Sequence, residues 1–157
     1  MTMFDLNGLE VMQATTDDAS RLAPLFDQYR VWCGEESDLS GAQYFLNQRL
    51  RNSEAEVFFV NVDQDLAGFV LLYPLFSSVS MQPIWILNDL FVADAFRQRG
   101  IGSVLLQIAT EFAKELGVLR LELEADVVNK QAQSLYESRG WKKDVKYFRY
   151  TLTLCDE

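Results

Sequence analysis

The chain has 157 residues, 49% hydrophobic and 24% charged, enough for one domain with a substantial core. Its net charge of −9 argues against a sequence-independent grip on nucleic acid and is compatible with a cationic substrate. There is no histidine, which removes the commonest general base, the Ser-His triads and the usual zinc ligands together.

No apolar run approaches the roughly 18 residues of a membrane span, and MTMFDLNG lacks the basic-then-apolar pattern of a secretory signal. Cys33 and Cys155 are far apart in sequence. Neither a disulfide framework nor a metal site is expected, and a reducing cytoplasm is the default.

Leu9 to Ala14 reads as a first strand. Thr15, Thr16 and Asp17 are N-cap candidates for a helix to about Trp32, with Leu22, Leu25, Phe26 and Tyr29 on one face. Pro24 is expected to kink or restart that helix. A carboxylate-rich break containing Glu35 and Glu36 precedes a second helix, Leu39 to Arg51. Glu56 to Val62 and Leu66 to Phe76 read as a hairpin around Asp63-Gln64-Asp65, and Gly68 within it signals a bulge or a close backbone contact. Ile84 to Val92 reads as the central strand.

The amphipathic pattern from Ile101 to Leu116, stopped by Gly117, is the strongest helix signal in the chain. Val118 to Glu124 alternates leucine with charge, a half-buried strand. Asn129 to Arg139 reads as a last helix and Lys146 to Leu154 as a final strand. No repeat or linker appears, so residues 1–157 are expected to form a single domain, a mixed α/β sheet with helices on both faces.

Between the central strand and the strongest helix lies FRQRGIG, Phe96 to Gly102. Strand, glycine-rich turn and helix N-terminus make a site for a phosphate or pyrophosphate. Neither GxxxxGK[ST] nor GxGxxG is present.

Arg97-Gln98-Arg99-Gly100-Ile101-Gly102 fits the [QR]xxGx[GA] signature of the GNAT superfamily of N-acetyltransferases. Asn129, Ala132, Leu135-Tyr136-Glu137 and Gly140-Trp141 resemble that family's second motif, N…A…LYE..GW. The stretch from Leu72-Tyr73-Pro74 resembles most the branch acting on diamines, polyamines and amino acids. The resemblance implies the GNAT fold, a mostly antiparallel sheet whose strands Ile84–Val92 and Val118–Glu124 splay apart. It implies acetyl-coenzyme A as cosubstrate, with pantetheine on the main chain of Leu90, Phe91 and Val92 and pyrophosphate on Arg97, Gln98, Arg99, Gly100, Ile101 and Gly102. Asn129 would also contact the cosubstrate, and a homodimer is the corresponding expectation.

Transfer would proceed by direct attack of a primary amine through a tetrahedral intermediate. The N–H of Val92 or a neighbour would serve the oxyanion, and Tyr136, also placed against the cosubstrate, would protonate the departing thiolate. Polyamine-branch relatives carry a glutamate where this chain has Asn88, which cannot act as a base. Asp89 is next in line but points to the opposite face of an ordinary strand, which a bulge would reverse. Glu124, then Glu35 and Glu36, follow Asp89 as candidates. Tyr29, Glu35, Glu36 and Asn88 are the candidate acceptor-binding residues. The expected acceptor is a small amine such as a polyamine, diamine or amino acid. The alternatives are a protein lysine or N-terminus, and a non-catalytic acyl-coenzyme A binding module.

Overall fold

The computed structural model describes residues 3–6 and 9–154. They divide into two compact units, one ending at Glu124 and one starting at Ala125.

The first unit is a six-stranded sheet in sequential order: β1 (Met3–Leu6), β2 (Leu9–Gln13), β3 (Glu56–Val62), β4 (Asp65–Ser77), β5 (Gln82–Val92) and β6 (Leu121–Leu123). The pairings from β1 to β5 are antiparallel, and β5 with β6 is parallel. This is the expected mixed, mostly antiparallel sheet, with β1 as an addition that the sequence reading did not include.

Two helices, α1 (Ala19–Trp32) and α2 (Leu39–Arg51), cover one face. Leu22, Phe26 and Leu46 pack there with Val57, Phe59, Phe69, Leu71 and Phe91. A third helix, α3 (Ile101–Glu115), covers the other, where Phe112 meets Phe58 at 5.1 Å and Trp85 at 5.5 Å. Alternate residues of β3 thus serve opposite cores, as the two-residue period of a strand requires.

Thr15 opens the α1 segment by donating its N–H and hydroxyl to Asp18, at 2.8 and 3.0 Å, ahead of a short 3-10 turn. Of the kink or restart expected at Pro24, the restart does not occur: the helix runs through it. Pro24 and Ser20 are both exposed, so the carbonyl that loses its partner faces water. At the β3–β4 turn Asp63 and Gln64 have φ of 49° and 76°, the two-residue hairpin geometry that matches strand twist.

Gly68 meets both expectations. The β3–β4 register shifts beside it, and a Cβ there would lie 2.8 Å from the Phe91 carbonyl and 3.2 Å from Ile101.

The second unit contains α4 (Lys130–Ser138). Asn129 caps it by accepting the Ala132 N–H at 3.0 Å. The expected final strand, Lys146 to Leu154, is not formed: those residues carry no regular secondary structure. A strand exists only where an edge pairs with it, and Tyr147, Phe148, Tyr150 and Leu152 are exposed.

Candidate active site

The site begins where β5 and β6 part. Their pairing covers only Trp85–Leu87 against Leu121–Leu123, while β5 continues to Val92. The strand expected at Val118–Glu124 is therefore three residues long, and the splay follows from its early end.

Ala93 N–H donates to Ala67 at 2.9 Å, toward β4. Strand alternation then turns the polar groups of Leu90 and Val92 away from β4, onto the side β6 has vacated. Those of Phe91 face β4, so of the three residues expected to offer main-chain pairing, Leu90 and Val92 do so on the open side. The Val92 carbonyl there accepts from Arg97 Nε at 3.1 Å. Its N–H remains directed into the gap.

Beyond β5 a 3-10 turn, Asp94–Phe96, leads to α3. Gln98 and Gly100 have φ of 62° and 78°, which brings the chain round so that Gly100 caps the helix. The first intrahelical bond runs from Val104 N–H to Gly100, 3.1 Å. The N–H groups of Ile101 and Gly102 consequently point out of the helix end, and a Cβ at Gly100 would meet nothing within 4 Å. This is an anion cradle of backbone donors, suited to a pyrophosphate. Arg97 is tied to the cradle's own frame by an ion pair with Asp94 at 2.8 Å. Arg99 lies 5.4 Å over the ring of Phe96.

A register shift divides β5. Leu71 pairs with Asp89 but Leu72 with Leu87, so Asn88 is the extra residue of a β-bulge. Trp85 packs on α3, four residues before Asp89, and Phe91, two residues after it, packs on Tyr29 of α1 at 5.6 Å. The parity of the strand therefore reverses at Asn88. Asp89 faces α1 and α2 and is 8% exposed.

Asn88 Nδ2 donates to Asp89 Oδ1 at 3.1 Å, and the Tyr29 hydroxyl interacts with the same carboxylate. Burial raises the proton affinity of Asp89, and the bonds from Asn88 and Tyr29 offset part of that. The same burial, and then the charge of Asp89, pushes the Tyr29 phenol up. Tyr73 on β4 is pushed up to about 12, by burial first and then by Asp89. Trp32 stands beside Tyr29 and Phe91 at 6.4 and 6.3 Å. A buried carboxylate beside Tyr29 and Tyr73, with Phe91 and Trp32 packed on Tyr29, can hold an alkylammonium through charge and ring faces, and can accept its proton.

The other candidates fall elsewhere. Glu35 and Glu36 are exposed. Their loop is held by Asp27, which accepts from the Ser37 hydroxyl at 2.5 Å, the Asp38 N–H at 2.9 Å and Arg30 at 3.0 Å. Glu124 is exposed just past β6 and has an interaction of its own. In the second unit Tyr136 packs against Trp141 at 6.1 Å, and burial raises its phenol.

Asp27 was not among the residues expected from the sequence, although a carboxylate among the apolar positions of α1 was an available signal. Tyr73 was part of the stretch that carried the branch resemblance but was not itself expected beside the carboxylate. Among the described residues no trio of Cys, Asp or Glu clusters as metal ligands, and no helix is long and apolar enough to cross a membrane.

Comparison with known proteins agrees with this geometry. The model of the acetyltransferase (GNAT) family matches residues 20–141. The chain is 42% identical over 146 residues to the uncharacterized N-acetyltransferase YhfO of Bacillus subtilis, covering 93% of this chain and 98% of that one. It is 33% identical over 135 residues to a probable acetyltransferase of Haemophilus influenzae, covering 85% and 90% of the two. The crystal structure of a probable acetyltransferase, 39% identical, superposes with a TM-score of 0.87 over 94% of this chain and 99% of that one. A splayed strand pair, a glycine cradle at a helix start and relatives of this similarity over nearly the full length lead to one conclusion: the chain belongs to the GNAT family and is an acyl-coenzyme A-dependent N-acetyltransferase.

Proposed function

We propose that the protein transfers the acetyl group of acetyl-coenzyme A to the primary amine of a small cationic molecule, with Asp89 as general base. The bulge at Asn88 carries this reading, because it turns a buried carboxylate onto the aromatic α1–α2 face beside the open edge of β5. Acetyl-coenzyme A is the family's acyl donor, and a solved neighbour from Clostridium acetobutylicum, 14% identical with a TM-score of 0.75, was determined with it. The residues present fit it. Leu90 offers its main-chain groups on the open side of β5 to an extended arm, and the N-terminus of α3 offers N–H donors to a pyrophosphate.

An alkylamine with a pKa near 10.4 is about one part in 2,500 neutral at pH 7, a cost of roughly 4.6 kcal/mol. Asp89 offsets part of that cost by taking the ammonium proton at the reacting nitrogen. The Val92 N–H serves the oxygen that gains charge. Tyr136, whose phenol is pushed up by burial, supplies the proton to the thiolate.

The small-amine reading is supported by similarity to a thialysine N-epsilon-acetyltransferase of Caenorhabditis elegans, 24% identical over 87% of this chain and 90% of that one. The protein-amine reading has its own relative, an N-alpha-acetyltransferase of Sulfurisphaera tokodaii, 30% identical over 68% of each chain. Thiol release from acetyl-coenzyme A, measured across diamines, polyamines, amino acids and lysine or N-terminal peptides, separates them. Release with free diamines or polyamines is expected. Release with peptides alone would establish the second reading.

A further inference from the structure

The ring of Tyr29 lies on β4 and β5 at one place. Phe69 and Phe91 are opposed across the ladder, and Tyr29 contacts both, at 5.8 and 5.6 Å. The next pair on that face of the ladder is Leu71 with Asp89. A phenol standing over Phe69 and Phe91 is thus one step along the same face from the carboxylate, with which its hydroxyl interacts. Phe26 and Trp32 flank the ring at 6.5 and 6.4 Å. Rings on α1, β4 and β5 thus fix where the hydroxyl points.

We propose that Tyr29 is the positioning residue of Asp89: its clamped hydroxyl holds the carboxylate of the bulge on the acceptor side of the sheet and keeps it ready to take a proton. This rests on the reading of Asp89 as the base. The groups around the carboxylate that bear on its titration are Tyr29 and Asn88, with Tyr73 on β4. Cys33 lies beside Tyr29, and Arg49 of α2 acts on Tyr73. The hydroxyl of Tyr29 and the amide of Asn88 are the groups that favour the charged carboxylate against its burial. Removing the hydroxyl leaves burial less opposed, so Asp89 takes up its proton at higher pH.

Tyr29→Phe is the test, since it deletes the hydroxyl and retains the ring. The acid limb of kcat/KM for the best amine of the panel should move up by about one pH unit. The rate at neutral pH should fall more than the alkaline plateau does, and KM for acetyl-coenzyme A should stay within twofold. A structural role alone would lower the Tm without moving the limb. Asp89→Asn is run beside it. A limb that vanishes in Asp89→Asn but stays put in Tyr29→Phe overturns the role of Tyr29 and leaves Asp89 as base. A limb intact in Asp89→Asn overturns the base itself. Carbon-13 titration of the Asp89 carboxyl in the protein without substrates then decides Tyr29 alone: an upward shift in Tyr29→Phe supports the positioning role, and an unmoved titration rejects it.

Discussion

Asp89 has neutral hydrogen-bonding neighbours, Asn88 and Tyr29, and is 8% exposed. Such a carboxylate is poised for catalysis and poor for stability. Its raised folded pKa means that the native state binds the proton more tightly than the unfolded chain does. Stability is therefore lost as pH rises from the unfolded carboxylate value through the folded one, and the loss persists at neutral pH. Asp27 and Asp38 behave oppositely. Asp27 is held low first by the Ser37 hydroxyl and Asp38 first by the Gly41 N–H. Their contributions are present above the unfolded carboxylate value and disappear as pH falls through the folded ones. Asp89→Asn should thus reduce turnover at least about 100-fold while raising stability by about 1 kcal/mol, or about 3 °C in Tm. Thiol-release kinetics and thermal melts at pH 7 check both signs, and a variant that is inactive and also less stable would contradict the argument. Tyr136→Phe addresses the other proton. It should lower turnover about tenfold or more and leave the Kd for acetyl-coenzyme A, measured by calorimetry, where it was.

The helix α3 is seated by one glycine. A Cβ on Gly68 would stand 2.8 Å from the Phe91 carbonyl, 3.2 Å from Ile101 and 3.3 Å from Leu105. Backbone cannot yield as a side-chain tip does, so Gly68→Ala pushes β4 away from β5 and α3. The expected cost is about 2 kcal/mol, a fall of about 6 °C in Tm. A melt unchanged within 1 °C of wild type would mean that the sheet absorbs the methyl. Because Phe91 lies between Leu90 and Val92, the variant should also weaken acetyl-coenzyme A binding. Gly68 was readable because glycine inside a strand has few other uses, and α3 because its apolar stripe repeats over four turns. The bulge at Asn88 was harder. Its signal was two polar, strand-averse residues, Asn88-Asp89, amid Ile84 to Val92. That pattern marks an irregularity without fixing which residue is extra, and the choice decides the face of Asp89. The register against β4 supplies it, and register is a property of two strands together. Non-local pairing likewise decided β6, which alternation alone overextended, and the segment from Lys146 to Leu154, which forms no strand.

A net charge of −9 acts on both substrates at once. The field of an acidic protein concentrates cations near its surface and depletes anions. In the proposed reaction, a small ammonium ion approaching Asp89 is favoured, whereas acetyl-coenzyme A, an anion, must reach the α3 cradle against the overall charge. In that placement its binding leans on local donors: the first-turn N–H groups and the arginines at 97 and 99. These opposite signs give a measurement that needs no mutation. The Debye length falls from about 30 Å at 0.01 M salt to about 8 Å at 0.15 M, which removes most of the long-range field. Across that range kcat/KM for a diamine or polyamine should fall several-fold, and kcat/KM for acetyl-coenzyme A should hold or rise. A neutral or acidic peptide acceptor has no reason to share the fall. The salt profile measured with a cationic amine and with a peptide of equal turnover therefore tests the acceptor class through the charge of the entire chain, independently of Asp89. A flat profile for the polyamine would locate its recognition in uncharged contacts, and the aromatic wall of Tyr29, Trp32 and Phe91 would then carry the selectivity.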